Sequence, residues 1–283
     1  MSAGQMIKFS LSKLIGELIG TFFLTIFFTS NEQGTILGGL FTLNVFIWKL
    51  SGSHFNPAVT LACMVRKTER MPVVLGIAYI VVQILGAYLG AMTYNFWMMG
   101  IPVLQYFDDF IMRSLVQELL STFVFIVFFL SVTDTAMKFS SNDTLNCLIN
   151  ASGYVGARGI FYGQAYRKVL QNATTSYGAV MNPAIALGIA LAGYFGEGWN
   201  SWKAIYLYPT VPFGAALLSV VFYEFIYKKT IQTLAHYGDE GDMANAAGLM
   251  TEEDERMSRS KTKEFHPVRQ PTNSAYAKID DNY

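Results

Sequence analysis

The tripeptide Asn-Pro-Ala occurs twice, at Asn56-Pro57-Ala58 and at Asn182-Pro183-Ala184, and each copy opens an apolar stretch too short to cross a bilayer. Asparagine is a favoured N-cap, and proline suits the first helical position, where its missing N–H is not needed. Both copies therefore read as helix starts. Ten or so residues at ~1.5 Å rise give ~15 Å, about half of a ~30 Å hydrocarbon core. Two such half-helices entering from opposite faces make one discontinuous span. Irregular backbone at membrane depth is tolerated only where it is buried or lines water. The residues ahead of each asparagine are expected to be that backbone: Gly52, Ser53, His54 and Phe55 in the first loop, Gly178, Ala179, Val180 and Met181 in the second. Their carbonyls would supply acceptors along a pore, and the Asn56 and Asn182 amides donors at its centre.

The rest of the chain supports a membrane setting. Of its 283 residues 52% are hydrophobic and only 14% charged, where a soluble domain carries about 25% charged residues. Zero net charge gives no sign of a nucleic-acid partner. Six spans are expected: Leu11 to Ser30, Thr35 to Leu50, Val73 to Met99, Leu115 to Thr133, Leu145 to Tyr166 and Ile205 to Tyr227. Lys8 and Lys13 precede a run long enough to remain in the membrane, so it reads as a span and not as a cleaved leader. Cys63 and Cys147 lie in or beside apolar segments without metal-ligand spacing and read as buried small hydrophobes. No metal or cofactor is implied, and no Ser/His/Asp or phosphate-loop constellation points to an enzyme.

The chain is written twice. Glu17-Leu18-Ile19-Gly20-Thr21-Phe22 near the start of the first span matches Glu118-Leu119-Leu120-Ser121-Thr122-Phe123 near the start of the fourth. Three spans per half make the halves enter from opposite sides, an inverted-topology repeat whose site lies near the midplane. The expected fold is an all-α membrane protein of six transmembrane helices plus two re-entrant half-helices. Residues 1–10 form a short leading segment, 11–229 the channel (repeats about 11–100 and 113–228) and 230–283 a charged, disordered tail. Eight basic residues, Lys8, Lys13, Arg66, Lys67, Arg70, Lys138, Lys228 and Lys229, fall on one side, against Arg113, Arg167, Lys168 and Lys203 on the other. This bias puts both termini in the cytosol.

These motifs resemble the major intrinsic protein family, the aquaporins and aquaglyceroporins. The run Ser51-Gly52-Ser53-His54-Phe55-Asn56-Pro57-Ala58-Val59-Thr60 is similar to the family's first pore loop. Glu17 and Glu118 resemble its repeat glutamates, Gln83 with Gly86-Ala87 its third span, and Pro212-Phe213 through Tyr223-Glu224-Phe225 its sixth. The resemblance covers roughly Leu11 to Lys228. It implies a homotetramer in a lipid bilayer with one pore per subunit, passing water and sometimes small uncharged solutes. The membrane would be the plasma membrane or that of an intracellular vesicle or vacuole.

The chain departs from the family where selectivity is set. By resemblance an arginine should follow the second Asn-Pro-Ala; Ile185 stands there. The aquaglyceroporins place an aspartate next; here it is Ala186. The remaining filter positions carry over to Ile36 or Leu37 on the second span, Ala179 in the second loop, and one of Tyr162, Tyr166 or Leu170 on the fifth. The filter is thus expected to be more apolar than a water-only filter. Either it is wide and passes glycerol, urea, ammonia or hydrogen peroxide, or it is narrow and conducts poorly because it dewets.

Other residues carry two readings each. Glu17 and Glu118 are intramembrane carboxylates, costly unless paired; they either anchor the re-entrant loops or handle protons. Arg158 either faces the outer vestibule and partly replaces the missing filter arginine, or pairs internally or snorkels outward. Gly153, Gly156, Gly159 and Gly163 read as a close helix-packing stripe. His54 lines the first loop, with a pH gate as the alternative. Asn172-Ala173-Thr174 is a glycosylation sequon in the loop expected outside the cytosol. In the tail, Ser258, Ser260 and Thr262 lie among basic residues that suit phosphorylation, and Tyr276-Ala277-Lys278-Ile279 looks like a tyrosine-based sorting signal. The whole reads as a passive pore for water. The alternatives are a facilitator for glycerol, ammonia or peroxide with little water flux, a weakly conducting structural protein of the same fold, and an ion-coupled transporter.

Overall fold

The computed structural model describes residues 3–98, 104, 111–160, 179–202 and 205–234, and every regular element among them is helical. In chain order these are α1 (Ala3–Thr29), α2 (Gln33–Ser51), α3 (Pro57–Val65), α4 (Val73–Met98), α5 (Ile111–Thr133), α6 (Asp143–Gly159), α7 (Pro183–Glu197) and α8 (Val211–Phe222). A single 3₁₀ turn, Gly198–Trp202, follows α7, and a π-turn, Tyr223–Tyr227, carries α8 onward to Leu234. The helices α1, α2, α4, α5 and the extended α8 are long and apolar enough to cross a membrane. The described part of α6 is 17 residues long.

Apolar and polar surfaces are inverted relative to a water-soluble protein. Phe46, Val74, Phe96 and Trp97 face outward, each more than three-quarters exposed, while Glu17, Thr21, Thr25, Asn44, Gln83, Glu118, Ser121 and Thr122 are fully buried. Large exposed apolar side chains are the expected outer surface of a bundle that lipid surrounds. Several of these inner groups are satisfied by the helix backbone itself. Thr21, Thr25 and Thr29 each donate back to a carbonyl four residues earlier in α1.

The packing repeats between halves. In the first half α1 packs on α2 and α4; in the second α5 packs on α6 and α8. The halves meet where α2 packs on α6, and each half-helix leans on the last span of the other half: α3 on α8, α7 on α4. The α1–α4 contact is backbone to backbone. A Cβ at Gly86 would lie 2.4 Å from the Leu18 carbonyl oxygen, and one at Gly90 would lie 2.5 Å from that of Phe22. Gly20 leaves the space that the Phe55 ring occupies, 1.9 Å from where a Cβ would sit.

Three expectations change. The sixth span was expected from Ile205, but α8 begins at Val211. Pro209 and Pro212 lack the N–H that a continuous helix needs and disfavour helical geometry in the residue before them, so Ile205–Thr210 forms turns. The helix then passes Lys228-Lys229 and continues to Leu234, because Lys228 is buried in an ion pair and does not mark the water boundary. The glycine stripe on α6 is not a packing seam along its length. A Cβ at Gly153 would lie 3.2 Å from Phe128 of α5, but Gly156 and Gly159 are exposed, and a Cβ at either would have nothing within 4 Å among the described residues. Gly163 lies outside the described residues.

Candidate pore site

Each half-helix starts at its asparagine. The Asn56 Oδ1 accepts from the Ala58 N–H at 2.8 Å, and Asn182 Oδ1 accepts from Ala184 at 3.0 Å and Ile185 at 3.4 Å. Pro57 and Pro183 occupy the first turn, as the sequence predicts. The amide nitrogens then cross over. Asn56 Nδ2 donates to the Met181 carbonyl at 2.8 Å, and Asn182 Nδ2 donates to the Phe55 carbonyl at 2.8 Å. The two half-helices therefore meet N-terminus to N-terminus, each amide bound to the residue that precedes the other asparagine. An amide nitrogen carries two N–H groups, so each asparagine keeps one donor beyond this cross-link.

The loops ahead of the asparagines follow a contorted path. Gly52 (φ 91°), Ser53 (φ 49°) and Phe55 (φ 49°) in the first loop and Met181 (φ 54°) in the second occupy the left-handed region. That conformation costs a non-glycine residue about 1–3 kcal/mol, and buried carboxylates offset it. Glu17 accepts four hydrogen bonds: Oε1 from Ser51 Oγ (2.6 Å) and the His54 N–H (3.0 Å), Oε2 from the Phe55 N–H (2.7 Å) and Gln83 Nε2 (2.8 Å). Glu118 accepts from the Val180 N–H (2.5 Å) and the Met181 N–H (2.8 Å). Tyr79 OH donates to the Ser51 carbonyl at 2.9 Å, and Tyr154 OH to that of Val180 at 3.4 Å. Both glutamates are thus bound to loop backbone.

His54 is held by Thr60, with Nδ1 to Oγ1 3.1 Å, and its ring lies edge-on to Tyr79 and Phe129. Among the positions expected to form a filter, Ile36, Ala179 and Ile185 are buried and Leu37 is half-buried. Ile185 joins the apolar core, so the first turn of α7 brings no charge to the site. The fifth-span positions Tyr162, Tyr166 and Leu170, together with Gly178, lie outside the described residues, as do Asn172 and the tail sites Ser258, Ser260, Thr262 and Tyr276. Arg158 is fully buried. Its Nη1 donates to the Ala179 carbonyl at 2.7 Å, its Nη2 to Asn31 Oδ1 at 3.2 Å, and its guanidinium carbon sits 4.2 Å from the Phe28 ring centre.

At the opposite end lies a cluster that sequence reasoning missed. Lys228 Nζ is 2.6 Å from Asp134 Oδ2 and donates to Thr68 Oγ1 at 2.8 Å; Tyr223 OH donates to Asp134 Oδ2 at 3.1 Å. Glu224 accepts from the Lys67 N–H at 3.1 Å, and Glu69 accepts from Thr135. Burial pushes the Asp134 carboxyl up, but Lys228, the Ala136 N–H and Tyr223 together hold it below its usual range. The one signal was that Asp134 and Lys228 each stand where the sequence alone would end a span. Among the described residues no cluster of three metal-ligating side chains occurs.

The family described as Major intrinsic protein matches residues 32–223. Aquaporin-1 of Rhizophagus irregularis is 40% identical over 93 residues, 27% of this chain and only 34% of that protein's length. Aquaporin NIP2-1 of Arabidopsis thaliana is 27% identical over 226 residues, 71% of this chain and 70% of that one. Among solved structures, the aquaglyceroporin from Plasmodium falciparum superposes with a TM-score of 0.59 at 19% identity, covering 77% of this chain and 97% of that one. The likeness in fold therefore extends well beyond the stretches of close sequence.

Proposed function

The chain belongs to the major intrinsic protein family, whose members are passive multi-pass membrane channels and not enzymes, and from that premise we propose that it conducts water through the axis where Asn56 and Asn182 meet. The observation that carries the proposal is the crossed pair of amides. Each asparagine spends one N–H on the opposite loop and keeps one to donate to a passing molecule. Each stands at a helix N-terminus, where partial positive charge disfavours cations and protons but not neutral molecules. A water molecule can then exchange hydrogen bonds between loop carbonyls and these donors.

A second reading has its own support. Ile185 and Ala179 are apolar and buried, which suits small neutral solutes such as glycerol, urea, ammonia or hydrogen peroxide as further cargo. The assembly proposed is a homotetramer with one pore per subunit and both termini in the cytosol, in the plasma membrane or an intracellular vesicle or vacuole membrane. Stopped-flow light scattering of proteoliposomes tests the assignment. Water permeability well above that of protein-free vesicles supports it. Solute uptake with little water flux would move the assignment to a facilitator. Background flux for water, glycerol, urea and peroxide alike would leave a structural protein of the same fold.

A further inference from the structure

We propose that Arg158 sets charge selectivity in the outer half of the pore, by presenting a fixed cation from α6 to the loop that precedes Asn182. The inference rests on the reading that this loop lines the conduit.

Three observations carry it. First, the guanidinium is built into the site. Its side chain is fully buried, Nη1 binds the Ala179 carbonyl at 2.7 Å, Nη2 binds Asn31 Oδ1 at 3.2 Å, and Phe28 covers one face at 4.2 Å. A planar fork held at two ends and stacked on a ring has little freedom to move. Second, the loop is gripped by opposite charges on the two sides of the Ala179–Val180 peptide group, the carboxylate reaching on to the next N–H. Arg158 holds the carbonyl of Ala179, while Glu118 holds the N–H groups of Val180 and Met181. The positive charge therefore sits where the chain leaves Ala179, on the side of the α1–α2 turn that Asn31 occupies. Third, the first turn of α7 cannot do this work, because the residue after Asn182-Pro183-Ala184 is the buried, apolar Ile185. The other buried cation among the described residues, Lys228, pairs with Asp134 at the far end of the bundle.

A fixed cation in a low-dielectric wall repels a cation far more strongly than it would in water. It costs a neutral solute nothing of this kind. Arg158 thus adds to the barrier of the two helix N-termini at a different depth along the axis. Its hydrogen bond to Ala179 also turns that carbonyl away from any cation that would otherwise use it as a ligand.

The test uses the full-length chain reconstituted in proteoliposomes, as wild type, Arg158→Gln and Arg158→Lys. Gln removes the charge and leaves a shorter, neutral amide donor; Lys keeps the charge and loses the fork. Water permeability comes from stopped-flow shrinkage, and proton and methylammonium entry from an internal pH-sensitive dye. The quantity read is the ratio of cation leak to water permeability. Arg158→Gln is expected to raise that ratio by about tenfold or more, and Arg158→Lys to hold it within about threefold of wild type. A purely structural Arg158 predicts that both variants lower thermal stability and water flux together with no rise in the ratio, and that result overturns the proposal. So does a rise of equal size in Gln and Lys. If wild type itself shows background water permeability, the water-channel reading fails, while the absolute leak of Gln against Lys still decides the role of Arg158. A Gln variant that does not fold shifts the comparison to Asn31→Ala, which releases one arm of the fork and should raise the ratio by about threefold; no rise there overturns the proposal.

Discussion

Replacing Glu17 by glutamine keeps the side chain's shape and turns one acceptor oxygen into a donor. In the folded protein both oxygens are in use, Oε1 by Ser51 and His54 and Oε2 by Phe55 and Gln83. Whichever way the new amide turns, its NH₂ faces two donors that have lost their acceptor. A buried donor left unsatisfied costs about 1–3 kcal/mol, so Glu17→Gln should cost about 2–6 kcal/mol. The loss also falls on the loop whose Ser53 and Phe55 hold left-handed backbone. Glu118→Gln makes the internal comparison. Its oxygens each accept one loop N–H among the described residues, so one donor is orphaned and the cost is about 1–3 kcal/mol. Unfolding in detergent, followed by tryptophan fluorescence, gives both values. Glu17→Gln should be the more destabilising by about twofold, with water permeability falling in parallel. A Glu17→Gln protein within about 1 kcal/mol of wild type, but with altered proton flux, would refute the anchoring argument and make the carboxylate a proton carrier.

Lys228→Met should cost about 3–5 kcal/mol, because it strands the buried Asp134 carboxylate; in thermal melts Asp134→Asn in the same background should recover part of it. Because Asp134 is held below its ordinary value of 3.8, its contribution is fully present above that value and is lost as pH falls through the lower folded value. The midpoint of a melt series should therefore hold steady from pH 7 to about 5 and drop below about 4, and Asp134→Asn should flatten that part of the drop. Gly86→Ala, whose Cβ would meet the Leu18 carbonyl oxygen at 2.4 Å, should cost about 1–3 kcal/mol. Gly156→Ala, whose added Cβ would have no described residue within 4 Å, should be neutral or stabilising by up to about 1 kcal/mol in the same melts.

Much of the bundle was readable before any coordinates, because the relevant physics is local. A run of apolar residues announces a span by its length, and Asn-Pro announces a helix start by its caps, so α2, α4 and α5 lie within a few residues of expectation and both half-helices start where expected, while α1 begins at Ala3, eight residues before the expected Leu11. Where a non-local contact decides, the sequence was mute or misleading. Lys228-Lys229 looked like a membrane flank, yet Lys228 belongs to Asp134, and that pairing lets the last helix run on. The glycines of α6 looked like a seam, yet Gly156 and Gly159 face outward. At the site, Asn56, Asn182 and both glutamates were identifiable by type. The crossing of the two amides was not, because it depends on how two distant loops dock. Arg158 was visible as an expensive residue in an apolar segment, but its grip on Ala179 and Asn31 was not.

The crossed amides also bear on how the protein is made. Asn56 and the Met181 carbonyl that accepts its hydrogen bond are 125 residues apart. At about 5–20 residues per second, the ribosome takes about 6–25 s to cover that distance. Throughout that interval the first re-entrant loop has been synthesised and its acceptor has not. An amide without a partner is poorly tolerated in hydrocarbon, so the nascent first half has reason to keep this loop near the aqueous face or within the insertion machinery. Seating of α3 then becomes a late event, completed when the second half delivers Met181. A nascent chain arrested before Met181 should accordingly leave residues around Asn56 open to water-soluble cysteine reagents that the finished protein excludes.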